Sequence, residues 1–579
     1  TQMACCGARA WQHLADLIHK HLHRQQLMRI MFLTPPARQA RSSSALVLLT
    51  SLWLATLGNA ALWQQVMGVP DLGGWHRVVF GLAFAVIIAS VITALVSLLA
   101  WRYTLKPTLT LLLLLAAFAT HYMLMYGIVV DTPMVVNVFQ TDTREARDQL
   151  SWHLLATVVV LAGLPIAWLW RQPVHVLSLG KQLLRNVAWF VASLAIAFGT
   201  LQLVFQDFAS LMRNHTQMRY QINPLNSIYA LLDLTVIPSD QAKGPMQALG
   251  LDAHIVHRAG QAPQRPPLLV FVLGETARSQ SFSLNGYERE TNPLLAKENI
   301  TSFRQVASCG TSTAESVPCM FSHLGRTGFA NRSSEFENML DVLQHAGYAV
   351  LWIDNQSGCK DQCDRIPNTN TSNLKVAGHC EGDECRDTVM LTRIEAELAK
   401  LPAERRARGT VVVMHQMGSH GPAYFKRTPA AFKKFTPECT DTSLSQCDRA
   451  QVVNAYDNTI VFTDYFLSQV IGWLKTQEKS STPAMLYVAD HGESLGENNL
   501  YLHGLPYAMA PAEQKTVPMI TWLSPGFEQH SRVSTRCLQA QRDKPLSHDN
   551  LFHSVLGLMS VKTSVYQREL DFFAACESR

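Results

Sequence analysis

Five stretches of this chain contain no Asp, Glu, Lys or Arg: Ala45 to Trp63, Val78 to Trp101, Thr108 to Val130, Trp152 to Trp170 and Asn186 to Gln206. About 20 residues in a helix cross a ~30 Å hydrocarbon layer, so each is long enough to span a membrane. A chain inside lipid must satisfy its own backbone polar groups, which makes helices the expected form. Residues 44–207 therefore read as a membrane domain of five transmembrane helices, preceded by a cytoplasmic tail over 1–43 that is too polar for a signal peptide. Trp63, Trp101, Trp152, Trp168 and Trp170 lie toward span ends, as an interfacial belt requires. Trp53 and Trp189 do not.

This clustering overrides the reading of 579 residues as several soluble units. With 48% hydrophobic and 16% charged residues, a disordered or nucleic-acid-coating protein is excluded as a class. The basic excess of 49 over 44 sits beside apolar segments. Arg9, Lys20, Arg24, Arg29, Arg38 and Arg41 precede the first span, Arg102 and Lys106 follow the second, and Arg171, Lys181 and Arg185 follow the fourth. The alternate loops carry Asp71, Asp131, Asp142, Glu145 and Asp148 against Arg77, Arg144 and Arg147. The positive-inside rule then places the N-terminus in the cytoplasm and everything after Gln206 outside.

Cysteine usage points the same way. Ten of the twelve cysteines follow the fifth span, eight of them in close couples: Cys309 with Cys319, Cys359 with Cys363, Cys380 with Cys385, and Cys439 with Cys447. Such spacing suits local disulfides in an oxidising compartment, whereas a zinc ribbon would repeat CxxC. Cys537 and Cys576 are left open between a pair and two free thiols.

Residues 208–266 read as an amphipathic helix along the membrane surface, to about Leu234, followed by a Gly/Pro-containing linker over 239–266. Within 267–579, Leu268 to Leu273, Ala349 to Ile353, Thr410 to Met414 and Ala484 to Ala489 look like buried strands. Phe336 to Ala346, Thr388 to Lys400 and Val452 to Thr476 look like helices. The alternation predicts an α/β domain around a largely parallel sheet, with ligands beyond the carboxyl ends of its strands.

Those strand ends carry the chemistry. One runs into Gly274-Glu275-Thr276 and another into Asp490-His491-Gly492-Glu493, so two carboxylates and an imidazole can gather around a cation, with zinc favoured by the histidine. Between Cys309 and Cys319, Thr311, Ser312, Thr313 and Ser316 follow a glycine and precede an expected helix. A metal would make one such hydroxyl a nucleophile, and helix-start amides would stabilise a phosphate; the plain alternative is a hydroxyl N-cap. First principles do not choose among the four. His420 and His503 stand in glycine-flanked turns, where an imidazole can orient a phosphoryl oxygen, protonate a leaving alcohol or bind a second metal. Lys360 offers a cation for phosphate.

The segments GETARSQSFSLNGYERETNP, CGTSTAESVPCMF, GSHGPAYFKR, ADHGESLGENNLYLHGLPY and SHDNLFH closely resemble the phosphoethanolamine transferases that modify lipopolysaccharide. That family includes the mobile colistin-resistance enzymes and lies within the alkaline phosphatase and sulfatase superfamily. The resemblance runs over essentially residues 45–579 and implies a periplasmic sulfatase-like catalytic domain over 267–579, anchored in a bacterial inner membrane. It implies that Glu275, Thr313, Asp490 and His491 hold zinc, one or two ions in all, with Thr313 as the nucleophile. His420 and His503 match histidines that contact the phosphoryl group or a second zinc, and Lys360 matches a substrate-binding lysine. Asn137, Thr141 and Glu145 resemble residues holding the lipid donor's headgroup; their spacing of four would place them on one helical face. His548 and Asp549 receive no role.

The implied reaction transfers phosphoethanolamine from phosphatidylethanolamine to a lipid A phosphate through a zinc-activated threonine and a covalent phospho-threonine intermediate. Added ammonium groups would lower the outer surface's negative charge and weaken attraction for polymyxin and other cationic peptides. The alternatives are a phosphoethanolamine transferase acting on the lipopolysaccharide core, a glycerol-phosphate transferase with the same site, and an inert anchored binding module. A monomer with no nucleic-acid partner is expected.

Overall fold

All five charge-free runs become long apolar helices in the computed structural model, which describes residues 40–69, 73–141, 143–235, 245–256, 265–382 and 384–578. The expected tail up to residue 39, Asp71, Asp142 and parts of the 239–266 linker lie outside the described residues. The helices span Ser43–Gly68, Gly74–Leu98, Leu105–Tyr126, Trp152–Trp170 and Leu179–Leu203. The fifth starts at Leu179 rather than Asn186 and takes Lys181 and Arg185 into its first turns. Hydropathy marks the lipid-facing stretch, not the helix end, and basic side chains on long stems do not interrupt the backbone ladder.

Two of these helices are irregular for local reasons. The first breaks into Ser43–Ala55 and Ala60–Gly68 around a 3-10 turn at Leu57–Asn59. There the Thr56 hydroxyl donates to the Leu52 carbonyl at 2.7 Å, a side-chain bond that competes with the ladder. The fourth carries a π turn at Val159–Gly163 just before Pro165. Proline has no N–H to give the carbonyl four residues back, and the Trp53 indole donates to that Leu161 carbonyl at 3.0 Å instead. Trp53 therefore sits mid-span for a reason unrelated to an interfacial belt.

Two compact units organise the chain. One holds Trp75–Leu114, Val160–Phe205 and the described residues up to Leu57; the other holds Gly58–Gly74, Leu115–Val159 and Gln206–Arg579. The loop after the third span falls in the same unit as the α/β domain. That loop forms α1, Thr132–Gln140, and α2, Thr143–Asp148. The expected amphipathic helix is two helices, Phe205–Asn214 and Leu225–Thr235, separated by a 3-10 turn. Part of the expected linker is tied down: His254–Ile255 pairs with Val561–Lys562.

The α/β domain is built on an eight-stranded sheet. Its strands are β1 Pro267–Gly274, β2 Ile300–Ala307, β3 Ala349–Asp354, β4 Asn368–Asn370, β5 Thr410–His415, β6 Thr482–Ala489, β7 Thr516–Leu523 and β8 Leu546–Ser547. The order is β8-β2-β7-β6-β1-β5-β3-β4. Five adjacent strands from β6 to β4 are parallel, and β7 pairs antiparallel with both its neighbours. The apolar runs of β1, β5 and β6 are buried throughout, as a sheet covered on both faces requires. Four strands escaped the sequence reading. In β7, Pro518 argues against a strand interior, and the pairing with β2 shifts register there, between Val517 and Met519. β2 alternates weakly, and β4 and β8 are short.

The helices that matter for the site are α3 Thr313–Met320, α4 Met339–His345, α5 Arg449–Gln477 and α6 Leu551–Leu558. α4 is shorter than the expected Phe336 to Ala346 because Asn338 closes a capping box with Asp341. The expected helix over Thr388 to Lys400 is a 3-10 turn, Asp387–Thr392, followed by Ile394–Lys400. Disulfides join the four predicted couples, and Cys537 pairs with Cys576.

Candidate active site

Strand register brings the chemistry to one edge. Gly274 of β1 lies opposite Ala489 of β6, Leu273 opposite His415 of β5, and His415 opposite Asp354 of β3. The residues that follow, Glu275 and Asp490-His491, therefore emerge side by side although more than 200 positions apart in sequence. The turn after β1 is strained: Thr276 has φ 56°. In that conformation its N–H donates to Asp490 Oδ1 at 3.0 Å and its hydroxyl to Glu275 Oε1 at 2.6 Å. Gly418, at φ 51°, lets the His420 loop pass against β1, since a Cβ there would lie 2.7 Å from the Glu275 carbonyl.

Thr313 is the first residue of α3, and its Oγ1 lies 3.2 Å from both Glu275 carboxylate oxygens and 3.4 Å from His491 Nε2. His491 Nε2 is 3.5 Å from Glu275 Oε1 and 3.3 Å from Asp490 Oδ2. The other ring nitrogen, Nδ1, donates to the Gly492 carbonyl at 3.0 Å, which leaves the Nε2 lone pair facing the cluster. Of the four hydroxyls left open, Ser316 donates to the Asp490 carbonyl, Thr311 donates to the Leu505 carbonyl at 2.6 Å, and Ser312 makes no capping bond. The hydroxyl N-cap alternative is thus not what this segment does.

The cluster fits a cation. Ligand atoms of Glu275, Asp490 and His491 lie within 4.8 Å of one another, all three residues are buried, and Asp490 Oδ2 has no hydrogen-bond partner. Burial, then the Asp490 charge, pushes the Glu275 carboxyl well above its usual range. Burial lowers His491 to about 4 against the opposing pull of Asp490, so the imidazole is neutral, its ligating form. Two carboxylates, an imidazole and a hydroxyl suit zinc or another borderline cation. Cys359, Cys363 and Asp364 also lie close together, but the thiols are spent in a disulfide.

Two residues behind the Glu275 carboxylate, Gln356 and His415, carry no signal in the sequence. Gln356 Nε2 donates to Glu275 Oε2 at 3.1 Å. His415, paired with Asp354 at 3.0 Å, turns Nε2 to within 4.0 Å of the same oxygen. His503 gives its Nδ1 hydrogen to Glu493 Oε2 at 2.7 Å. Burial alone would lower His503, but Glu493 outweighs it and holds the imidazole above its ordinary value; burial and the His503 charge push His420 well below. His548, left without a role by the sequence, is a strut: Nδ1 accepts the Cys309 N–H at 3.1 Å and Nε2 donates to the Ala489 carbonyl at 3.0 Å. Asp549 accepts the Arg326 N–H at 2.8 Å.

A cavity of about 570 Å³ opens in front of Thr313. Asn137, Thr141, Glu145, Lys360, His420 and His503 all line it. Asn137, Thr141 and Glu145 do not share one helical face as expected: α1 ends at Gln140, Thr141 is extended, and Glu145 belongs to α2. The break at Thr141 turns the chain so that both short helices border the same space. Lys360, at φ 49°, places Nζ 2.9 Å from Ser357 Oγ. The lining also includes Leu115, Phe118, Tyr122, Val135 and Leu231.

Residues 267–561 match the sulfatase family, and residues 88–236 match the family described as phosphoethanolamine transferase EptA/EptB. The phosphoethanolamine transferase EptA of Escherichia coli K12 is 38% identical over 539 residues, 92% of this chain and 96% of its own. The phosphatidylethanolamine transferase Mcr-1 of Escherichia coli is 36% identical over 533 residues, 90% of this chain and 96% of its own. Among solved structures, the integral membrane lipooligosaccharide phosphoethanolamine transferase A (EptA) from Neisseria meningitidis superposes with a TM-score of 0.87 at 34% identity, covering 93% of this chain and 99% of that one. With its helical membrane part, its sulfatase-like α/β domain and this extent of similarity, the chain belongs to the lipid A phosphoethanolamine transferase family.

Proposed function

We propose that this protein transfers phosphoethanolamine from phosphatidylethanolamine to a phosphate of lipid A through a covalent intermediate on Thr313. The observation that carries the reading is the mixed lining of one cavity, in which Thr313, Lys360, His420 and His503 occur together with the apolar Leu115, Phe118, Val135 and Leu231. Such a space accepts a charged headgroup joined to acyl chains.

Thr313 Oγ1 forms a bond to the donor phosphorus, and the bond from phosphorus to the glycerol oxygen breaks, releasing diacylglycerol. A lipid A phosphate oxygen then attacks the same phosphorus and returns Thr313 to its hydroxyl form. Both displacements run in line, so acceptor and leaving group use the same side of the phosphorus, opposite Thr313. Lys360 sets its cation against the phosphoryl oxygens, and His420 and His503 face the same group. Asn137, Thr141 and Glu145 surround the ethanolamine end. Glu275, Thr313, Asp490 and His491 would hold zinc, which when bound lowers the pKa of the threonine hydroxyl and offsets phosphoryl charge. A domain on the periplasmic side agrees with the basic loops and five disulfides.

Mass spectrometry of lipid A from bacteria with and without this chain tests the proposal. A phosphoethanolamine increment that disappears with Thr313→Ala is expected; an increment on core oligosaccharide alone, or none, would overturn it.

A further inference from the structure

The GSHGPAYFKR segment ends in Lys426-Arg427, which neither the cation cluster nor the cavity wall uses. Arg427 is only 5% exposed, and its guanidinium serves three separate elements. Nε donates to the His420 carbonyl at 2.9 Å, Nη2 donates to Asp148 Oδ2 at 2.9 Å, and Nη1 donates to Glu384. Lys426 takes the other Asp148 oxygen. One carboxylate at the end of α2 is thus held by two cations from the loop that carries His420.

Asp148 is poorly chosen for its own helix. A carboxylate at a helix C-terminus opposes the macrodipole, and a helix of one or two turns does not hold itself together in water. A cavity of about 280 Å³ lies beside it, lined by the charged Glu145, Asp148, Glu384, Lys426 and Arg427 together with Met417, so the ion pairs to Lys426 and Arg427 are direct ties of α2 on that side. Three residues before Asp148, Glu145 Oε1 lies 4.0 Å from His420 Nε2. Both side chains line the headgroup cavity.

We propose that Arg427 is a positioning residue that, through Asp148 on one side and the His420 carbonyl on the other, sets the spacing of Glu145 and His420 across the headgroup cavity. The inference rests on the proposed function, because it treats that cavity as the donor site. Arginine is required: its planar fork reaches three acceptors in fixed directions, which a lysine ammonium does not.

The test uses the full-length protein in mixed micelles, with the rate of labelled ethanolamine transfer followed against phosphatidylethanolamine concentration. Asp148→Asn should raise KM for the donor roughly tenfold and change kcat less than about twofold, since it loosens α2 and leaves His420 held. Asp148→Glu should recover much of the loss. Arg427→Lys, which also frees the His420 carbonyl, should lower kcat as well. Melting temperature and bound zinc are measured for each variant; bound zinc should match the wild type, and a modest fall in melting temperature is expected from the buried bonds lost. An unchanged KM in Asp148→Asn, or a loss confined to kcat or following melting temperature from variant to variant, would overturn the inference. A wild-type chain that transfers no ethanolamine would overturn the functional reading beneath it.

Discussion

His491 Nε2 lies 3.4 Å from Thr313 Oγ1, turned there because the opposite ring nitrogen gives its hydrogen to the Gly492 carbonyl. A neutral imidazole with a fixed tautomer is thereby aimed at a hydroxyl on another element. Thr313→Ala should lower ethanolamine transfer roughly a thousandfold or more while leaving the protein in the membrane fraction. Label transfer by the purified variant checks this, and near wild-type transfer would remove Thr313 as nucleophile.

Gln356 holds Glu275 without being a ligand itself. Outer partners of this kind orient a ligating group, so Gln356→Leu should weaken zinc binding roughly 10- to 100-fold. Competition with a metal-binding dye on the purified protein reads the change. Equal affinity for variant and wild type would show that Glu275 needs no such support.

Gly492 follows His491 where the chain presses against its neighbour: a Cβ would lie 2.0 Å from the Glu513 carbonyl oxygen. Gly492→Ala must therefore move backbone rather than a side chain. We expect a loss of about 3 kcal/mol in stability, together with reduced zinc content because His491 moves with it. Thermal unfolding and metal analysis of the same sample check both effects.

His548 is buried and bonded at both nitrogens, to the loop before α3 and to the end of β6. His548→Ala leaves the Cys309 N–H and the Ala489 carbonyl without their partner, at a cost of roughly 2 kcal/mol or more. Denaturant unfolding should show it, and a midpoint equal to wild type would mean the strut is dispensable.

Leu231 is one of the apolar side chains that line the cavity. Leu231→Asn removes apolar contact and adds a polar group, so the donor concentration for half-maximal rate should rise roughly tenfold. A water-soluble donor analogue lacking acyl chains should be far less affected. Equal effects on both would place the acyl chains elsewhere.

Much of the architecture was legible from near neighbours along the chain. The five spans, the cores of β1, β3, β5 and β6, and four of the five disulfides among the described residues are announced by runs of apolar residues or by cysteines within ten positions. Where local signals conflicted, the reading failed. Pro518 hid β7, Lys181 and Arg185 hid the first turns of the fifth span, and the turn at Thr141 divided what looked like one helical face.

Hydrophobicity and residue spacing act over a few residues, so the chain alone determined where helices cross, which strands are buried, and that Glu275, Asp490 and His491 stand at strand ends. Strand register and the seating of α3 decided the rest. They set Thr313 rather than Ser316 against Glu275, brought Gln356 and His415 behind that carboxylate, and joined Arg427 to Asp148 across 279 positions. Those contacts depend on which buried polar groups find partners once the sheet is assembled, a competition settled in three dimensions and absent from any short window of sequence.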